Sequence, residues 1–281
     1  MNQFFAKIIS VFSAIALFFS GIAGTSTCSD NVKIVDRQKV SLVGALVAGQ
    51  GIATDGEYYY TSGSIAALNI TGLAKWDLDF NRVDMALGSV PKDFTEQYGS
   101  NHIGDIGCYN GYIYAPVEDD DYVRDFVLLY DCDTLEYTGT YYEITSPLLN
   151  DGIPWCAVDD EGYFYTSAFD NVNEILRYRA EDMSFVDTIK LSETINRVQG
   201  ADVYDGKLWV SYDVKDSADE QVLSIDLESG KVETAFERYI EINDNEAEGI
   251  IVHPMQDGSL FHVLDYDKLV SVHIRHYAFV K

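Results

Sequence analysis

The sequence predicts an all-β fold, a five-bladed β-propeller of four-stranded antiparallel blades. Three observations predict it: a turn-and-strand phrase that recurs five times, a second strand-pair phrase after each copy, and the near absence of helical periodicity. The first phrase reads Asp55-Gly56-Glu57-Tyr58-Tyr59-Tyr60, Asn110-Gly111-Tyr112-Ile113-Tyr114, Glu161-Gly162-Tyr163-Phe164-Tyr165, Asp205-Gly206-Lys207-Leu208-Trp209 and Asp257-Gly258-Ser259-Leu260-Phe261. Asx-Gly ahead of alternating apolar residues marks a tight hairpin, because the turn needs positive φ. The turn glycines are spaced by 55, 51, 44 and 52 residues, the length of a four-stranded blade.

The second phrase supplies the outer strand pair, as in Leu73 to Leu78, Leu128 to Asp133, Ile175 to Tyr178, Val222 to Leu227 and Leu269 to His273. Polar turns such as Asp226-Leu227-Glu228-Ser229-Gly230-Lys231 then lead to a fourth strand such as Val232 to Phe236. Only Lys92 to Tyr98 reads as a short helical turn. Val32 to Val43 has no partner in its own repeat and is predicted to lie beside Tyr277 to Val280, closing the ring and removing exposed sheet edges. The propeller then occupies 32–281 as one domain, preceded by a short linker at 25–31.

Residues 1–24 read as a secretory signal peptide: Lys7, an apolar run from Ile8 to Phe19, then small residues with Gly21 and Ala23 at the cleavage positions. The expectation is a secreted or extracytoplasmic protein with no transmembrane segment once the signal is removed; a lipid anchor on Cys28 is the minor alternative. A formal charge of −27 excludes nucleic acid as a partner and favours cations or small neutral ligands, or serves solubility alone. Cys28, Cys108, Cys132 and Cys156 have no metal spacing, and Cys108 and Cys156 fall at similar points of neighbouring repeats.

In a propeller the first strand of each blade lines the central channel, so the starts of those strands converge. They read Gly49-Gln50-Gly51, Asn101-His102-Ile103-Gly104-Asp105, Ile153-Pro154-Trp155, Val198-Gln199-Gly200-Ala201-Asp202 and Glu246-Ala247-Glu248-Gly249. Glycine permits close backbone approach, while the polar neighbours face a common opening. Gln50, Asp105, Trp155 and Gln199 are the candidate ligand-binding residues, Asp202, Glu246 and Glu248 the candidate metal ligands, and His102 the candidate acid/base. Were Glu248 and Asp202 about 5 Å apart at an effective dielectric near 20, they would repel by roughly 3 kcal/mol and so share a proton or hold a cation, for which Ca2+ is the expected cofactor. The same residues would otherwise hydrogen-bond between blades and plug the channel. Asp77-x-Asp79, Asp131-x-Asp133, Asp265-x-Asp267 and Asp119-Asp120-Asp121 sit in turns that favour Asp for local bonding. The stripes Tyr112/Tyr114 and Tyr163/Tyr165 suit packing between blades.

Gln50 through Gly51-Ile52, Asp55-Gly56, Tyr59 to Gly63 and Gly72 to Leu78 resemble the first blade of plant-type glutaminyl cyclotransferases, secreted five-bladed propellers. That family carries a glutamate just before its Ser/Thr-Gly pair, where this chain has Tyr60-Thr61. The hairpin is also similar to olfactomedin-like propellers with a channel cation, and Glu248-Gly249-Ile250 to strand starts in propeller lactonases and esterase-like phytases, where such a glutamate binds calcium. Two functions follow as expectations: a binding module holding a small molecule or cation at the channel mouth, or a metal-dependent hydrolase (lactonase or esterase) or glutaminyl-cyclotransferase-like enzyme using that same site.

Overall fold

The computed structural model describes residues 26–40, 46–65, 70–119, 121–122, 124–214, 219–240, 245–267 and 271–280. The segment 1–24 read as a signal peptide lies outside the described residues, as do 41–43 of the first strand.

Five antiparallel sheets form, each beginning at a predicted channel strand. Blade 1 is β3 (Gly51–Thr54), β4 (Tyr59–Ile65), β5 (Ile70–Trp76) and β6 (Arg82–Leu87). In blade 2, β7 (His102–Ile103) and β8 (Gly107–Tyr109) both pair with β9 (Tyr112–Glu118), followed by β10 (Asp125–Asp131) and β11 (Tyr137–Ile144). Blade 3 comprises β12 (Ala157–Val158), β13 (Tyr163–Thr166), β14 (Val172–Arg179) and β15 (Phe185–Ile195). Blade 4 comprises β16 (Val198–Tyr204), β17 (Lys207–Tyr212), β18 (Asp219–Asp226) and β19 (Val232–Ile240), and blade 5 β20 (Asn245–Val252), β21 (Phe261–Asp267) and β22 (Ser271–Phe279). The helix α1 spans Lys92–Tyr98, as its sequence predicts, and ends on Gly99 at φ 77°.

The ring closes through β2 (Val32–Val40), which pairs with β22 from Val32 opposite Phe279 to Val40 opposite Val272. The stretch 25–31, read as a linker, contains β1 (Ser26–Cys28), which pairs with β19 and covers the outer edge of blade 4. Two N-terminal strands thus seal two blades.

The core lies between blades, in apolar layers such as Leu73, Ile113 and Leu128 between blades 1 and 2, and Trp209, Phe236 and Phe261 between blades 4 and 5. Tyr114 and Tyr165 are buried there, but Tyr112 is 39% exposed, because it opens its strand beside the turn where no neighbouring blade covers it. Two of the Asp-x-Asp turns bond locally: Asp77 Oδ1 accepts from Asp79 N and Asn81 N, and Asp131 Oδ1 from Asp133 N and Thr134 N. Asp265, expected in such a turn, lies instead within β21 and pairs with the buried Arg238 and Arg275.

Candidate functional site: a channel with two mouths

Antiparallel pairing within every blade sends all five inner strands the same way along the axis. The channel therefore has an inlet, where Gln50, His102, Gln199 and Glu248 stand, and an outlet at the hairpin turns. Between them lies a constriction built on Asp105. Its backbone N–H donates to Pro154 O at 2.9 Å and its carbonyl accepts from Cys156 N at 3.1 Å, which ties blade 2 to blade 3. Its side chain crosses the axis: Oδ1 accepts from Ile52 N (2.8 Å) and Ile106 N (3.1 Å), Oδ2 from Ala201 N (3.1 Å). One carboxyl thereby bonds blades 1, 2 and 4. Burial holds its proton far above the ordinary aspartate range despite these donors.

This crowding explains the channel glycines. A Cβ on Gly51 would lie 2.5 Å from Asp105 Cα, one on Gly200 2.4 Å from Asp105 Oδ2, and one on Gly249 2.4 Å from Asp105 Oδ1. The three glycines are the space in which the aspartate sits.

On the inlet side a hydrogen-bonded chain links blades 2, 1 and 5. Glu118 Oε2 lies 3.1 Å from His102 Nδ1, His102 Nε2 lies 2.5 Å from Gln50 Oε1, and Gln50 Nε2 donates to Glu248 Oε1 at 3.4 Å. Both imidazole nitrogens face side-chain oxygens. Gln199 Nε2 donates to Glu246 Oε1 at 3.0 Å, and Arg197 Nε donates to Asp213 Oδ2 at 2.8 Å. Glu248 is only 3% exposed, and burial first, then the nearby Glu246 and Asp213 carboxylates, hold its carboxyl well above the usual range. Its carboxyl is thus disfavoured as an anion, at a mouth rimmed with negative charge.

Not every predicted residue joins this group. Trp155 is fully buried with Nε1 donating to Ser167 Oγ at 3.1 Å, because strand alternation turns its ring into blade 3. Asp202 stands beyond the constriction from Glu248: its carboxylate accepts from Val203 N and Val252 N at 2.8 Å each, and burial first, with the Asp160 carboxylate adding to it, pushes it up to about 7. Asp202 and Glu248 therefore do not form the pair expected from sequence, and the set Asp202, Glu246 and Glu248 is split across the channel. Among the described residues no three His, Cys, Asp or Glu side chains gather closely enough to hold a metal ion. Asp202 instead borders an outlet cavity of about 590 Å³, lined also by Asp55, Cys108, Tyr109, Asp160 and His253.

Sequence reasoning missed Glu118, Asp213 and Arg197. Glu118 and Asp213 each lie seven residues past a turn glycine, at or just past the end of a blade's second strand and beside the start of its first. Aligning the repeats at that position gives Gly63, Glu118, Phe169, Asp213 and Asp265, and three of these are acidic.

No protein-family model matches the chain, and no curated protein matches it. Solved structures do. The β-xylosidase RS223 aligns with a TM-score of 0.52 at 12% identity, over 87% of this chain and 95% of that one. A nidogen/laminin complex gives 0.48 at 11% identity, over 78% and 75%. Hydrazine synthase of Kuenenia stuttgartiensis gives 0.45 at 16% identity over 76% of this chain, which spans 55% of the length of that one. At these identities the likeness shows the fold alone, a β-propeller. The resemblances noted above to cyclotransferase, olfactomedin-like, lactonase and phytase propellers rest on the quoted residues.

Proposed function

We propose that this chain is an exported β-propeller that binds a small cationic ligand, organic or Ca2+, at the inlet formed by Gln50, His102, Glu118, Gln199, Glu246 and Glu248. The observation that carries the reading is Glu248, a buried carboxyl that accepts one long hydrogen bond, 3.4 Å, from Gln50 Nε2. Burying a carboxyl this way is costly, and a bound cation would replace its proton and recover an ion pair. The net charge of −27 raises the local concentration of cations, and the apolar run at 8–19 supports export. Binding that displaces the Glu248 proton strengthens as pH rises.

The test is a melting-temperature shift with calcium chloride, tetramethylammonium, arginine and spermidine as probes, on wild type and Glu248→Gln. At least one probe should stabilise wild type, more at pH 8 than at pH 6, and leave Glu248→Gln unmoved. No shift with any probe, or equal shifts in both proteins, overturns the reading.

The Glu118–His102 contact supports a second reading, since a carboxylate orienting an imidazole is the geometry of an acid/base pair. On that reading the inlet hydrolyses lactones or esters with a metal ion, or cyclises glutaminyl peptides. Turnover on such a panel, abolished by His102→Ala, would decide for it.

A further inference from the structure

The sequence set Cys108 beside Cys156, and their strands are indeed neighbours: Gly107 packs against Val158 at the contact of blades 2 and 3. The thiols, however, part company. Cys156 is buried with Sγ donating to Tyr114 O at 3.2 Å, whereas Cys108 Sγ lies 3.3 Å from Cys132 Sγ. Cys132 follows β10, and its N–H donates to Gly111 O at 3.0 Å, so the chain is pinned beside the β8–β9 turn. Lys75 of blade 1 fixes it further, donating from Nζ to Cys132 O at 3.1 Å and pairing with Asp133 at 3.2 Å. Both thiols lie in the apolar layer between blades 1 and 2. They differ in access: Cys132 is 5% exposed, while Cys108 is half-buried and lines the 590 Å³ outlet cavity.

We infer that Cys108 and Cys132 are a dithiol redox site, oxidised to a disulfide by exchange with a small-molecule disulfide that enters through the outlet cavity. The sulfurs need to close by only about 1.2 Å to reach bonding distance. Cys108, the sulfur that lines the cavity, attacks first as thiolate; the hydrogen bond to Cys132, then burial, push this thiol well above its usual range, so the exchange is slow and quickens as pH rises. The donor's S–S bond breaks, a mixed disulfide forms and one donor thiolate leaves. Cys132 then attacks the Cys108 sulfur of that mixed disulfide and releases the second donor thiolate. Two electrons pass from the cysteines to the donor, and their two protons end on its two thiols. The bond closes a loop across a separation of 24 residues and staples β8 to the end of β10.

The test treats reduced, purified protein with oxidised glutathione. Denatured thiols are then counted by maleimide labelling and the cross-link is mapped on non-reduced peptides. Four free thiols should fall to two, with Cys28 and Cys156 still labelled and one Cys108–Cys132 peptide pair found. The oxidised protein should melt roughly 5–10 °C higher than the reduced one. In Cys132→Ser, Cys108 should hold a stable glutathione adduct; in Cys108→Ser, Cys132 should stay unmodified. Four thiols persisting in wild type, or a bridge to Cys28 or Cys156, overturns the inference. Equal adduct formation in the two variants overturns the order of attack. The wild-type mapping stands whether or not either variant folds.

Discussion

Adding one methyl group at the channel axis, by Gly249→Ala, should destabilise the protein severely. The new Cβ would lie 2.4 Å from Asp105 Oδ1, 2.8 Å from Gly51 Cα and 2.8 Å from Ile52 N. Two of these three atoms are backbone of blade 1, and the third is the carboxyl that bonds three blades, so no flexible side chain can yield. Gly249 lacks a left-handed φ, and alanine there would ordinarily stabilise slightly through the unfolded chain. The penalty is therefore steric. Overpacking of this kind costs typically 1–3 kcal/mol, and displacing Asp105 loses about 1 kcal/mol for each hydrogen bond broken. A total of about 3 kcal/mol lowers the melting temperature by roughly 6–12 °C for a domain of this size. Gly206→Ala is the control: its Cβ meets nothing within 4 Å, and only its φ of +72° opposes alanine, at about 1–2 kcal/mol. Thermal unfolding by circular dichroism ranks the two. If Gly249→Ala melts within a degree of wild type, the crowded axis described above is wrong.

Three further outcomes follow from buried charge. Asp125 is pushed up to about 7, by burial first and then by Glu118, Asp119 and Asp151, so the folded chain keeps a proton that the unfolded chain releases near pH 4. Stability from this group is greatest below that point and falls as pH rises to 7, by on the order of 2–4 kcal/mol; Asp125→Asn should therefore gain melting temperature over wild type at pH 8 but little at pH 4. His262 has the opposite sign: burial pushes it down to about 4, its Nδ1 lies 2.6 Å from His276 Nδ1, and its ring should stay neutral by NMR as pH falls through 6, where an ordinary histidine charges. Asp265 accepts from both Arg238 Nη1 and Arg275 Nη1 at 2.5 Å with all three side chains buried, so Asp265→Ala should cost roughly 3–5 kcal/mol in urea unfolding, whereas Glu233→Ala, which removes the exposed partner of Lys231, should leave the midpoint almost unmoved.

The blade count was legible because each turn demands positive φ, and the sequence marks that need with glycine at regular intervals. The helix at 92–98 and the closing strand were legible for similar local reasons. The inlet was legible only in part. Gln50, His102, Gln199, Glu246 and Glu248 converge because strand starts in register share one end of the axis. Asp202 lies three residues beyond Gln199, and at about 3.3 Å per residue that carries it past the constriction to the other mouth. Glu118 and Asp213 escaped because one ends a second strand and the other directly follows one, and only cross-strand register brings them beside His102 and Arg197. The Cys108–Cys132 contact was hidden for the same reason: it depends on how the turn after β10 folds back on Gly111, which no spacing in the sequence states.

The central proposal is that a cation binding at the inlet displaces a proton from Glu248, whose buried carboxyl is held well above the usual range. Carbon-13 NMR of the glutamate carboxyls, with Glu248→Gln identifying the resonance, measures that protonation directly. The account predicts a midpoint well above the ordinary glutamate range in the free protein, falling when a cationic probe binds. A Glu248 that titrates like a solvent-exposed glutamate, or whose midpoint ignores every probe, would contradict it.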